Sequence, residues 1–157
     1  MYSYSRIFKI LISIEIILLF IQFWLGMSTN LFVFLPLNSA VDFGSYSGGT
    51  QVFAHIINGV LIFALAGLIL SYGFRLKSRI ISALSILALI SAFVAVSTGA
   101  TFAFSLRDDS LSMAMAMSFL TGFSVYFCEF YFIGKMDTSA SYASKTIEKE
   151  VERNTES

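Results

Sequence analysis

The chain has 157 residues, 57% of them hydrophobic and 13% charged. A soluble domain carries about 25% charged residues, so this composition excludes an ordinary soluble globular domain and implies a polytopic membrane protein whose main partner is the lipid bilayer. The net charge is zero, which leaves no basic footprint for nucleic acid, and the single cysteine, Cys128, excludes an internal disulfide or a CxxC metal or redox site.

A bilayer span needs about 20 mainly apolar residues. Four stretches qualify, at 7–27, 52–72, 80–104 and 111–133, and they predict an all-α, four-helix transmembrane bundle over residues 1–135. The first apolar run exceeds the roughly 7–15 residues of a signal-peptide core and no A-x-A-like site follows, so it reads as a retained helix. Its polar residues Glu15, Gln22, Gly26 and Asn30 are spaced seven, four and four apart, which places them on one helix face. That face must point into the bundle, because lipid exposure of a carboxylate is costly.

Residues 29–51 form the expected outer loop. Its apolar start, from Leu31 to Leu37, contains Pro36 and is too short to span, so it should lie along the interface or fold back over the mouth of the bundle. Gly44, Gly48 and Gly49 punctuate its end. The second span carries the only histidine, His55, about 6 Å below the outer surface, followed by Asn58 and Gly59. "GFRLKSR" is a tight basic turn, which makes the second and third helices antiparallel neighbours.

In the third span Ala88, Ala92, Ala95 and Gly99 form a narrow stripe where a neighbour can approach, and Ser85, Ser91, Ser97, Thr98 and Thr101 add hydroxyls. "LRDDS" is a short turn in which Asp108, Asp109 or Ser110 can cap the fourth helix. That helix opens with "SMAMAMS". Met113 and Met117, four apart, share a face at the depth expected for His55, with Met115 turned away from them, and Glu129 lies near the other end.

Eight of the twenty charged side chains fall in the last 21 residues. Residues 136–157 therefore read as a separate charged tail, mostly disordered, in which Ile147 and Val151 could support a short surface helix. Lys and Arg flank the spans six to one: Arg6, Lys9, Arg75, Lys77, Arg79 and Lys135 on one side against Arg107 on the other. The positive-inside bias then places both termini in the cytoplasm, in a multi-pass protein of the cell membrane.

Two positions attract chemical interest. Intramembrane acids are candidate functional sites, and Glu15 and Glu129 come out at similar depth, about 8 Å inside the cytoplasmic boundary. They could form a proton or cation relay, stay protonated and bonded to serines, or pair with Lys9 and Arg75 by snorkelling. His55 with Met113 or Met117 could ligate a b-type haem or monovalent copper. Equally, His55 could be a polar contact between helices, with the methionines as packing. Bis-histidine ligation would need a second copy of the chain.

The stretches "QFWLGMSTNLFVFLP", "HIINGVLIFALAGLIL", "STGATFAF" and "SMAMAMSF" resemble a family of uncharacterised small four-helix membrane proteins of archaea and actinobacteria, over most of residues 15–133. More distantly, a four-helix unit with a histidine at the outer end of a helix looks like half of a haem A synthase. That likeness implies haem handling at His55, the one position matching that family's several histidines. No nucleophile–histidine–acid set and no phosphate loop is present. Three functional readings follow. The leading one is a non-catalytic, cofactor-free small subunit or stabilising partner of a larger membrane complex, or a homo-oligomer. The second is a haem- or copper-binding protein using His55, and the third a proton- or cation-conducting oligomer using Glu15. Gln22 and Asn58 are the remaining intramembrane polar candidates.

Overall fold

The computed structural model describes residues 2–32, 48–104 and 109–155, in four helices: α1 (Tyr2–Phe32), α2 (Gly49–Arg75), α3 (Arg79–Phe104) and α4 (Asp109–Thr155). No strand occurs among the described residues. The helices form an up-and-down ring in which each packs on its neighbours in chain order and α4 closes against α1, while the diagonal pairs make no close backbone approach. The start of α1, the α2–α3 turn and the Asp137 stretch of α4 therefore lie at one end of the bundle, here the terminal end; the other is the far end. Of the outer loop expected at 29–51, residues 29–32 continue α1 and 49–51 open α2, while 33–47 lie outside the described residues, as do 105–108.

Each helix is long and apolar enough to cross a bilayer, so the chain is a multi-pass membrane protein. The outward faces confirm the solvent: Ile17, Phe20, Trp24, Phe93 and Leu120 are all more than half exposed. Conversely Ser5, Glu15, Asn58, Ser85, Ser91 and Glu129 are buried inside. Lipid offers no hydrogen bonds, so polar side chains gather where protein can supply them. A core of Phe8, Ile12, Leu19, Ile62, Ile69, Ile81, Ala88, Val125, Tyr126 and Ile133 fills the remaining interior.

The α2–α3 turn follows from local chemistry. The Leu76 amide donates to the Tyr72 and Gly73 carbonyls at 3.3 and 3.2 Å. Lys77 then adopts φ 54, a left-handed conformation that reverses the chain. Ser78 caps α3, its Oγ accepting from the Ile81 amide at 3.5 Å and its carbonyl from the Ser82 amide at 2.9 Å.

Helix α4 corrects one expectation. It runs unbroken for 47 residues, about 70 Å at 1.5 Å per residue and so more than twice the hydrocarbon thickness. The tail expected to be mostly disordered is helical as far as Thr155. Elongating an existing helix avoids the nucleation cost that keeps short peptides unfolded. The tail also supplies good helix formers, including Ala140, Ala143, Lys145, Glu148, Lys149 and Glu152.

Gly73 is the tightest point between α2 and α3. A β-carbon there would lie 2.7 Å from Ser85 Oγ, whereas one at Gly67 would meet nothing within 4 Å. Gly73→Ala is therefore expected to cost about 1–3 kcal/mol through overpacking, and Gly67→Ala to be neutral or slightly stabilising. In detergent unfolding titrations the Gly73→Ala penalty should shrink in a Ser85→Ala background. An equal penalty in both backgrounds would show that Ser85 is not the obstruction.

Candidate intramembrane site

The polar residues inside the bundle fall into three layers strung along the inner face of α1. The middle layer is the acid pair. Glu15 on α1 and Glu129 on α4 have no exposed surface, and Tyr126, one turn before Glu129 on the same face, is 2% exposed. Ser85 on α3 donates to Glu129 Oε1 at 2.5 Å. The Tyr126 hydroxyl lies beside the Glu15 carboxyl, and Glu15 and Glu129 are close enough to interact electrostatically. Among the described residues, both Glu15 oxygens, Glu129 Oε2 and the Tyr126 hydroxyl nevertheless lack a hydrogen-bond partner.

Two adjacent carboxylates without a counter-ion are prohibitively costly in an apolar interior. Lys9 and Arg75 do not supply one, contrary to the snorkelling alternative. Lys9 pairs with Asp137 at 2.5 Å, and Arg75 lies 5.4 Å from the centre of the Tyr72 ring. The pair must therefore hold a proton or another cation to persist.

The layer toward the far end is made of neutral groups. Asn58 Nδ2 donates to Gln22 Oε1 at 2.8 Å and to the Leu18 carbonyl at 3.0 Å. Because Gln22 presents its oxygen to Asn58, its amide nitrogen faces His55 Nε2, at 3.3 Å. A donor on that side makes Nε2 the acceptor and leaves the ring proton on Nδ1. That atom is buried and has no partner among the described residues; it faces Gly26, where a β-carbon would lie 3.1 Å from His55 Cε1. Gly59 likewise admits Gln22, whose Nε2 would be 3.3 Å from a β-carbon there. Glu15, Gln22 and Gly26 share the inward face as expected, while Asn30 is exposed.

The third layer closes the terminal end. Ser5 Oγ donates to both Asp137 carboxylate oxygens at 2.7 Å, beside the Lys9 pair. Asp137 reads from sequence as part of the tail, and its role is seen only once α4 is known to continue past the bundle core.

Met113 and Met117 are not brought to His55. They are 69% and 54% exposed, on a helix diagonal to α2. Met115 is the inward one, its sulfur 3.2 Å from where a Gly99 β-carbon would be. Counting back from Glu129 in steps of seven, four and three gives Gly122, Ser118 and Met115, so the polar face of α4 carried the signal that the methionine spacing obscured. Tyr126 was missed for the same reason: it lies one turn from Glu129.

The geometry defines a four-helix multi-pass membrane protein with a buried acid pair at the centre of its bundle. No family model, no curated protein and no solved structure matches the chain.

Removing the amide clasp should loosen α1 from α2. Asn58→Ala is expected to cost about 1 kcal/mol, the scale of interhelical hydrogen bonds in membranes. Gln22→Ala should cost a similar amount, and the double variant should cost less than the two together, because the partners are shared. Strict additivity in detergent unfolding would show that the two amides act independently.

Proposed function

We propose that the chain handles protons within the cell membrane, binding and releasing them at the Glu15–Glu129 pair. The observation that carries this reading is the pairing of two fully buried carboxyls from different helices, with the Tyr126 hydroxyl beside them and no ion pair to a basic side chain among the described residues. Such a pair changes charge by gaining or losing a proton, and Ser85 holds one member in place while Glu15 stays free of a fixed bond. The flanking Lys and Arg residues support a bundle with both termini in the cytoplasm, which makes the far end the external side. One chain of four unbroken helices lines little space, so conduction implies a homo-oligomer or a larger complex. The readings as conducting oligomer and as small subunit meet at this point, and the α4 extension beyond the span gives a partner something to grip.

A haem or copper role for His55, as the likeness to half of a haem A synthase implies, has less support. Its Nε2 is taken by Gln22 and its candidate methionine partners face outward. His55 serves better as a neutral contact between α1 and α2. A Soret band from purified protein that disappears in His55→Ala would reverse this preference.

In liposomes holding an internal pH dye and driven by a potassium diffusion potential, the native chain should admit protons. Glu15→Gln and Glu129→Gln should each reduce the rate by about a hundredfold or more, the scale of losing a proton-transfer group, while Met113→Leu should leave it unchanged. A lipophilic carbodiimide, which attacks protonated carboxyls in apolar surroundings, should modify Glu15 and block the flux. Native flux no greater than that of empty liposomes, or unaltered flux in Glu15→Gln, would end the proposal.

A further inference from the structure

The unpartnered oxygens of the acid pair belong to one cluster. Ser85 gives the single proton of its hydroxyl to Glu129 Oε1. That leaves Glu129 Oε2, both Glu15 oxygens and the Tyr126 hydroxyl oxygen as four buried oxygens with no hydrogen-bond partner among the described residues. Tyr126 is 2% exposed, and the two glutamates have no exposed surface. The tyrosine lies near enough to both carboxyls to interact with them electrostatically, as the carboxyls do with each other. The four oxygens therefore converge from α1 and α4 on one place, with Ser85 of α3 fixing the orientation of Glu129.

An oxygen set of this kind has a definite preference. Two carboxylates in an apolar interior need two positive charges for neutrality. Two protons supply them, and so do one proton and one monovalent cation. Oxygen ligands select hard cations, whereas copper and zinc favour sulfur or imidazole; His55 is bonded to Gln22 in another layer and Cys128 is exposed. Calcium takes six to eight oxygens, and magnesium keeps several waters in an octahedron. Four free oxygens in an apolar core fall short of both and suit a small monovalent ion. No buried residue of α2 is titratable, α3 contributes the Ser85 hydroxyl, Lys9 is held by Asp137, and Arg75 lies against Tyr72. Glu15, Glu129 and Tyr126 are thus the titratable groups that meet here.

We propose that the Glu15–Glu129 pair is a sodium site, in which one sodium ion takes the place of one of the pair's two protons and is bound by both Glu15 oxygens, Glu129 Oε2 and the Tyr126 hydroxyl oxygen. This rests on the proton-handling reading of Glu15 and Glu129. The exchange balances: the doubly protonated pair takes up one sodium ion and releases one proton, and it is neutral before and after. Tyr126 keeps its own proton and offers a lone pair, while the bond from Ser85 to Oε1 leaves Oε2 of Glu129 free to bind. The Gln22–Asn58–His55 layer has no carboxylate to offer, so the exchange is confined to the pair. Two cations then compete for one place.

Equilibrium dialysis of the detergent-purified full chain against radioactive sodium, in choline buffer, reads this independently of flux. The native chain should bind one sodium ion, with one proton released into weakly buffered solution for each ion bound. Because protons compete, the apparent Kd should rise about tenfold for each unit by which pH is lowered; an affinity indifferent to pH would overturn the exchange. Glu15→Gln and Glu129→Gln should abolish binding. Tyr126→Phe, which keeps both carboxyls, should raise Kd about tenfold or more, and Met113→Leu should leave it unchanged. Sodium binding that survives Glu15→Gln, or that is indifferent to Tyr126→Phe, would place the ion elsewhere and overturn the site. Displacement by potassium as effective as by unlabelled sodium would overturn the assignment to a small cation. No saturable binding by the native chain at any pH where it stays folded would overturn the proposal, and proton flux in liposomes would then show that the proton-handling reading stands without it. Sodium binding with proton release, in a chain that moves no protons across liposomes, would instead end the conduction reading and leave the cation site.

Discussion

Everything in this bundle depends on one constraint: in hydrocarbon, a polar side chain must find its partners inside the protein. The outward faces give nothing to discriminate one helix arrangement from another, since lipid tails are as apolar as leucine. Register and neighbour order are therefore set by the few groups that cannot face out. Glu15, Asn58, Ser85, Ser91 and Glu129 are all buried, and each has its partner or near neighbour on an adjacent helix. Glycines stand where these groups need room, as Gly73 does for Ser85 and Gly59 for Gln22.

Three seams of the ring are closed in different ways. Between α1 and α2 Asn58 donates to Gln22 and Gln22 donates to His55; between α3 and α4 Ser85 donates to Glu129 and Ser91 to a backbone carbonyl. The α4–α1 seam, where the ring closes, has its polar fastening at the terminal end, through Asp137. Farther along it is covered by aromatic rings. Phe20 meets Phe123 edge-on at 5.1 Å, and Phe23 stacks on Phe119 at 5.7 Å. Rings at this distance adhere without directional bonds, so this seam can yield more readily than the others. It is also the seam across which Glu15 faces Tyr126 and Glu129.

Hydropathy and charge made the number of helices and their antiparallel order legible, because span length and loop length follow directly from bilayer thickness. Helix faces were legible only in part. Spacing alone put Glu15, Gln22 and Gly26 on one side of α1, since all three are polar or small against an apolar background. On α4 the same method failed where it took the methionines as its guide. A thioether suits lipid and core equally, so Met113 and Met117 carry little information about direction, whereas Glu129 carries much. Pairings across helices were not legible at all. That Tyr126 meets Glu15, or that Asp137 meets Ser5, depends on ring order and vertical register, which no single helix encodes. The helical tail was missed because charge density was weighed above the cheap extension of a helix already formed.

A buried acid pair is an expensive way to hold helices together. The chain shows that it has a cheaper one: the Gln22–Asn58 amides and the Ser91 hydroxyl bond across helices without a charge to desolvate. Amides or hydroxyls at 15 and 129 would bind to Ser85 and Tyr126 as well, and would remove the risk of a stranded charge. What they would lose is the ability to change protonation state. Because the neutral solution is in use two helical turns away on the same face, holding helices together does not by itself require carboxyls. Proton exchange inside the membrane, as we propose for this pair, would require them.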